Sequence, residues 1–285
     1  MKENSKLKIK NALQEYVDLY DSQNQAANTL KGVSSATVSQ ILNGKWDLIK
    51  DSMWRTVASQ IGFQEHPWTA VETVDFKSVT QLLRDAQLTN QVFAFTGDAG
   101  SGKSFAIKQY EKSNTRTYLL SCNEYWNKKD FLSELLTAMG RDYTGLTITE
   151  MMREAVRNLK SQNNPLIIMD EADKLSDQVM YFFITLYNQL EDHCGIVICA
   201  TDHLRKRVKR GITLNRRGYT EIYSRVGRRF IELNGVTVTD VAQICIANGI
   251  TNKTLIKDIY SDSECDLRRV KRKIHALRMM DNQQN

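Results

Sequence analysis

The sequence predicts an α/β protein: a parallel sheet flanked by helices, with an all-helical domain before it and a small helical domain after it. Three observations carry this. First, the runs VFAFTG (92–97), TYLLSC (117–122), PLIIMDEA (165–172) and GIVICAT (195–201) are short, apolar and β-rich, and they alternate with stretches of helical spacing. Buried strands separated by helices build parallel sheets with crossover connections. Second, apolar residues recur at helical spacing in LKIKNALQEYVDLY and DLIKDSMWRTVASQIGF, so residues 7–63 read as a run of helices. Third, strand-like runs stop after residue 233 and the chain looks helical to its end. Periodicity is lost around Pro67, which places a linker at 64–76 between a helical domain (1–63) and a core (77–233), with a helical domain over 234–285.

Composition narrows the class. The chain has 285 residues, 41% of them hydrophobic, too many for a disordered chain and enough for about two domains with real cores. Its longest apolar stretches, such as LIIM at 166–169, are strand-sized, well short of the roughly 18 residues that cross a bilayer. MKENSKLKIK has no apolar segment behind it, so no secretory leader is expected. The five cysteines are odd in number and lack C-x-x-C spacing, which points to reduced thiols and a cytoplasmic protein rather than a disulfide framework. Charge is unevenly spread. Residues 203–230 hold ten Lys/Arg against Glu221 alone, and 267–280 hold six with no acid, so the rest of a chain of net +6 carries −9. Such concentration of positive charge suits a polyanion, nucleic acid first; a solvated basic face is the alternative.

Residues 22–46, SQNQAANTLKGVSSATVSQILNGKW, pattern as two short helices around a tight turn. Ala26, Ala27 and Leu30 give the first its buried face, Gly32 accepts the positive φ of the turn, and Val33 plugs the angle between the helices. Ser34 is placed to cap a second helix whose Val38, Ile41 and Leu42 face inward. Ser35, Thr37 and Gln40 are left for base edges, with Lys31 and Lys45 for phosphate. The segment resembles the phage-repressor-like helix-turn-helix family over about 55 residues. With no Arg, Asn or second Gln on the outer face, that resemblance implies DNA contact of modest specificity; a helical bundle for protein contacts is the other reading.

The most specific motif is GDAGSGKS: Gly97, Asp98, Ala99, Gly100, Ser101, Gly102, Lys103 and Ser104 fit G-x-x-x-x-G-K-[ST] in full. A strand-like run precedes it and a helical pattern follows it. That context lets backbone N–H groups curl around phosphates at a helix N-terminus, with Lys103 reaching the β- and γ-phosphates and Ser104 ligating Mg²⁺. In PLIIMDEAD, Asp170 ends an apolar strand where it would hold the Mg²⁺ shell, and Glu171 follows where it would polarise a water for attack on the γ-phosphate. ATP and Mg²⁺ are the expected cofactors, and ATP hydrolysis the expected chemistry. The tetrapeptide Asp-Glu-Ala-Asp at 170–173 also occurs in RNA helicases, but those need two such cores and about 110 residues follow here.

These marks resemble the AAA+ ATPases over about residues 77–280. The resemblance implies that Thr201, ending GIVICAT, is the polar residue near the γ-phosphate known as sensor 1. It implies an arginine finger acting on a neighbouring subunit in SRVGRRFIEL, Arg225 first and Arg228 second, and hence a homo-oligomer. Asp266-Leu267-Arg268-Arg269 resembles the sensor 2 helix of the lid, with Arg268 over the γ-phosphate. The domain order further resembles the Mu B-like transposition ATPases, with their IstB-like and TnsC-like relatives. That family implies an ATP-driven filament or ring on duplex DNA, largely indifferent to sequence, which activates a DDE transposase and is dismantled by hydrolysis. Arg205, Lys206, Arg207, Lys209 and Arg210 are then the candidates for phosphate contact. Lys271, Arg272 and Lys273 either add to them or form a solvated face over buried Val270, Ile274 and Leu277.

A zinc site at His193, Cys194, Cys199 and His203 is not expected, since the spacing matches no usual pattern. Trp68 and Trp126 read as packing residues before stacking platforms. Two rival functions share most motifs: a helix-turn-helix transcription regulator switched by ATP, and a replicative helicase loader.

Overall fold

The computed structural model describes residues 1, 3–63 and 67–284. The chain divides into two compact units, Met1–Thr69 and Ala70–Asn285. Residues 64–66, at the start of the stretch read as a linker, lie outside the described residues.

Among the described residues, the first unit contains four helices: α1 (Glu3–Val17), α2 (Gln23–Thr29), α3 (Ser35–Leu42) and α4 (Asp51–Gln60). Leu13, Ala26, Val38, Ile41, Trp54 and Val57 form its fully buried centre. The turn between α2 and α3 is built as its residues dictate. Gly32 takes φ +71°, Val33 is buried beneath it, and Ser34 caps α3 by accepting the N–H of Thr37 at 3.1 Å. The Gln60 side chain reaches the same turn, accepting from the Lys31 N–H at 2.6 Å and donating to the Lys31 carbonyl at 2.8 Å. Trp46 meets Trp54 edge-on at 5.5 Å, its indole N–H donating to the Ile41 carbonyl.

The second unit is a five-stranded parallel sheet wrapped by helices. Its elements run α5 (Val74–Thr89), β1 (Val92–Thr96), α6 (Lys103–Ser113), β2 (Thr117–Ser121), α7 (Lys128–Ala138), α8 (Ile148–Lys160), β3 (Leu166–Asp170), a 3-10 turn (Ala172–Lys174), α9 (Asp177–Leu190), β4 (Gly195–Ala200), α10 (Asp202–Thr213), α11 (Tyr219–Arg225), β5 (Ile231–Glu232), α12 (Val238–Ala247), α13 (Lys253–Ser263) and α14 (Leu267–Gln284). The strand order is β2-β3-β4-β1-β5. In β3 and β4 every residue is buried, because both sheet faces are covered. Ile167, Met169, Ile196 and Ile198 join the core cluster of α7–α11, while Leu166, Ile168, Val197 and Cys199 join that of α5 and α6. That is period-two alternation between two apolar layers. Gly195 opens β4 directly under α5: a Cβ there would collide with the carbonyl oxygen of Ala86.

Three boundaries differ from the sequence reading. The core's first helix starts inside the stretch read as linker, at Val74, with Thr73 accepting the N–H of Phe76 at 3.2 Å. The short β5, pairing Phe95 with Ile231, was not foreseen. The C-terminal helices belong to the same compact unit as the core. Two buried aspartates stitch them to it. Asp75 of α5 accepts the N–H groups of Asn234 and Gly235, both at 3.0 Å, and Asp240 of α12 accepts those of Val74 and Thr237. Burial pushes the Asp75 carboxyl upward, and the two N–H groups oppose this.

Because the strands are parallel, all their carboxyl ends lie along one edge, where open α/β sheets place ligands. Gly195→Ala should lower stability by about 1–3 kcal/mol through overpacking against α5. Thermal unfolding reads this as a lower midpoint, and an unchanged midpoint would contradict the packing described.

Candidate nucleotide site

The phosphate loop leaves β1 at Thr96 and enters α6 at Lys103. Gly100 and Gly102 hold φ +81° and +96°, conformations that side-chained residues rarely adopt. Gly102 begins α6 with no side-chain cap, so the helix presents backbone N–H groups for an anion instead of satisfying them internally. Lys103 Nζ turns back to the carbonyls of Gly97 and Asp98, each at 2.7 Å, placing the ammonium against the loop. Ser101 is buried with its hydroxyl unpartnered, a cost that an incoming phosphate oxygen would remove. These features fit a nucleotide's phosphates.

Asp170 closes β3, is buried, and accepts the N–H of Glu171 at 2.9 Å through Oδ1. Cys199 on β4 and Cys122 after β2 flank it. Burial first, and then the nearby Asp170 carboxylate, pushes both thiols upward, so they stay protonated and add no charge. Glu171 stands at φ +55° with its carboxylate exposed and paired to Lys174 at 2.5 Å. The left-handed backbone is unusual for glutamate and turns the residue away from the strand line. Thr201 follows β4 and donates its hydroxyl to Asp173 Oδ2 at 2.6 Å, so Asp173, a residue the sequence reading left without a role, anchors Thr201.

The C-terminal helices reach the same loop. Leu267 N–H donates to the Gly100 carbonyl at 2.9 Å, and a Cβ on Gly100 would collide with the Asp266 carboxylate. The second loop glycine is therefore required by the packing of Asp266 and Leu267 as well as by its φ. Arg268, one residue on, is exposed.

The first finger candidate lies elsewhere. Arg225 stacks on Tyr187 at 5.1 Å, and its Nε is buried without a partner. It lines a cavity of about 250 Å³ with Val92, the first residue of β1, whereas the phosphate loop follows the last. Arg225 thus sits at the far end of the sheet from its own chain's loop. Arg228 is exposed at φ +56°.

The basic helix α10 divides into two groups. Lys209 and Arg210 are exposed, as are Arg216 and Arg217 just beyond, while Lys206 is exposed and pairs with Asp202 at 3.0 Å. Arg205 is committed to Asp202 at 2.5 Å and Glu232 at 2.7 Å. Arg207 corrects the sequence reading. Its guanidinium turns inward to Asp177 and to the carbonyls of Asp173 and Leu175, leaving it unsuited to phosphate. In the first unit Ser35 and Lys45 are exposed, Gln40 is half-buried, and Thr37 lies 2.9 Å from the Ser34 hydroxyl. Along α14, Val270 and Ile274 are buried and Lys273 pairs with Asp262. Trp126 is buried as a packing residue. Among the described residues no group of His, Cys, Asp and Glu has the arrangement of a metal cluster, and no helix is long and apolar enough to cross a membrane.

Fold and site together define a P-loop ATPase core. The family model for the AAA domain matches residues 86–208, from α5 to α10. The chain is similar to the "ATP-dependent target DNA activator B" of Escherichia phage D108 and to that of Escherichia phage Mu, each 24% identical over 239 residues covering 80% of this chain and 74% of the relative. It is also 26% identical over 159 residues to the "Mu-like prophage FluMu DNA transposition protein B" of Haemophilus influenzae, covering 55% of this chain and 54% of that one.

Asp177 gives a pH test of the site's scaffold. Burial would raise its pKa, but the Tyr219 hydroxyl and the Arg207 guanidinium hold it below the ordinary carboxylate value. A depressed pKa contributes stability above the unfolded value of about 3.9 and loses it as pH falls through the folded one. Asp177→Asn should therefore be less stable than wild type at neutral pH and converge with it below about pH 4. A stability difference independent of pH would contradict the charge-based account.

Proposed function

We propose that this protein is a Mg²⁺-dependent ATPase that assembles on duplex DNA when ATP is bound and activates a DDE transposase, hydrolysis then dismantling the assembly. One observation carries the reading. The phosphate loop, Asp170, Glu171 and Thr201 gather at one edge of the sheet with the lid seated on the loop, in a chain similar over most of its length to proteins named for ATP-dependent activation of target DNA. That similarity favours this reading over a transcription regulator or a helicase loader.

The residues divide the work. Backbone N–H groups of Gly97–Ser104 cradle the phosphates and Lys103 leaves the Gly97 and Asp98 carbonyls to meet them. Ser104 and Asp170 are the residues that would hold Mg²⁺, which supplies charge neutralisation of the phosphate oxygens. Glu171 exchanges Lys174 for a water and polarises it, with Thr201 orienting that water beside it. Arg268 approaches from the lid. Arg225, which lies away from its own loop, acts as a finger on a neighbouring subunit's nucleotide, with Arg228 the alternative, and this makes hydrolysis dependent on assembly. Lys206, Lys209 and Arg210 contact phosphate without reading sequence, and Ser35, Thr37, Gln40 and Lys45 add a second, weakly selective contact.

Lys103→Ala should abolish ATP-dependent assembly on DNA as read by co-sedimentation. Glu171→Gln should still assemble while its turnover falls about a hundredfold or more, the range for loss of a positioned general base. Normal turnover by Glu171→Gln would remove Glu171 from the catalytic role.

A further inference from the structure

One arginine of the basic helix is built inward. Arg207 is three residues after buried Leu204 and four before buried Gly211, so helical spacing sets it on the packed face of α10 while Lys206, Lys209 and Arg210 face out. Its guanidinium holds the segment that follows Glu171. Nη1 donates to the carbonyls of Leu175 at 2.7 Å and Asp173 at 3.3 Å, and Nη2 donates to Asp177 Oδ1 at 2.6 Å. Nε is shared between Asp177 Oδ1 and the Tyr219 hydroxyl, each at 3.1 Å, and that hydroxyl donates to the same Oδ1 at 2.6 Å. The Tyr219 ring lies on Gly211, where any Cβ would strike it, so α10 and α11 close on the clamp from both sides. At the other end of the segment, Asp173 receives the Thr201 hydroxyl at 2.6 Å.

The clamp therefore joins two surfaces with separate tasks. On one side are the outward cations of α10. On the other is the turn bearing Glu171 and Lys174, whose ion pair competes with any water that Glu171 activates. A planar fork bonded to two carbonyls and a carboxylate ties that segment to α10 more rigidly than a single ammonium would. We infer that Arg207 is a positioning residue that couples contact between α10 and polyanion to the placement of Glu171 and Thr201, so that DNA binding raises turnover through the Arg207–Asp177–Tyr219 clamp. This rests on the proposal above that the ATPase assembles on DNA and that its hydrolysis depends on that assembly.

The test measures ATP turnover with and without saturating random-sequence duplex DNA, together with DNA affinity across a salt series. The variants are Arg207→Lys, which keeps the charge and loses the fork, and Tyr219→Phe, which removes one hydroxyl and keeps the ring on Gly211. Lys209→Ala is the control for phosphate contact. Arg207→Lys should cut the ratio of stimulated to basal turnover about fivefold or more, a typical coupling between sites. Its KM for ATP, its DNA affinity and its salt dependence should remain those of wild type, and Tyr219→Phe should shift the ratio the same way by less. Lys209→Ala should instead weaken DNA binding and flatten the salt dependence. A wild-type stimulation ratio in both clamp variants overturns the inference. So does a flattened salt dependence in Arg207→Lys, which would make Arg207 a phosphate contact. If Arg207→Lys does not fold, Tyr219→Phe decides alone. Absence of DNA stimulation in the wild-type protein overturns the proposed function itself, and the coupling with it.

Discussion

The nucleotide site depends on a helix that begins without a side-chain cap at the end of a buried strand. β1 is fixed between β4 and β5 in the sheet, so the chain leaving Thr96 has little freedom. It must reverse within the loop and enter α6, and two glycines at positive φ make that reversal possible. A Ser or Asp cap at position 102 would satisfy the helix and close the anion site. Glycine there leaves the N–H groups of the first turn for phosphate. The start of α14 depends on the same choice, since Asp266 packs where a side chain on Gly100 would stand and the Leu267 N–H donates to the Gly100 carbonyl. Loop, α6 and the start of α14 thus share one constraint.

Around that anion site the acidic residues are arranged to limit their mutual repulsion. Asp170 is buried at the strand end with a backbone N–H to accept, and the two flanking cysteines remain neutral. Glu171 is turned outward by its left-handed backbone and balanced by Lys174, and Asp173 takes the Thr201 hydroxyl. Asp177 is held by Arg207 and Tyr219. The basic helix thus supplies one of its arginines to order the acidic segment and keeps others for solvent, so the strong positive charge of this region serves two ends.

Much of this was legible in the sequence, for identifiable reasons. Strands β1–β4 are continuous apolar runs because helices cover both sheet faces, and the phosphate loop declares itself through glycines and a lysine at fixed spacing. The cap at Ser34 and the turn at Gly32 were readable because they depend on local backbone chemistry. β5 was not, since it has two residues, lies at the sheet edge and follows an arginine-rich stretch without an apolar run. The start of α5 was obscured by nearby Pro67, although Thr73 three residues before Phe76 is a capping signal. Arg207 was hidden among its neighbours' charges. Its spacing from Leu204 and Gly211 marks the inward face, but its partners Asp177 and Tyr219 are distant in sequence and only the tertiary fold brings them together.

The central claim is that ATP controls assembly on DNA. Electron microscopy of the protein on random-sequence duplex DNA, with ATP, with ADP and without nucleotide, tests it most directly. Continuous filaments or stacked rings that form with ATP alone are the predicted result. Isolated particles that look the same in all three conditions would contradict the account.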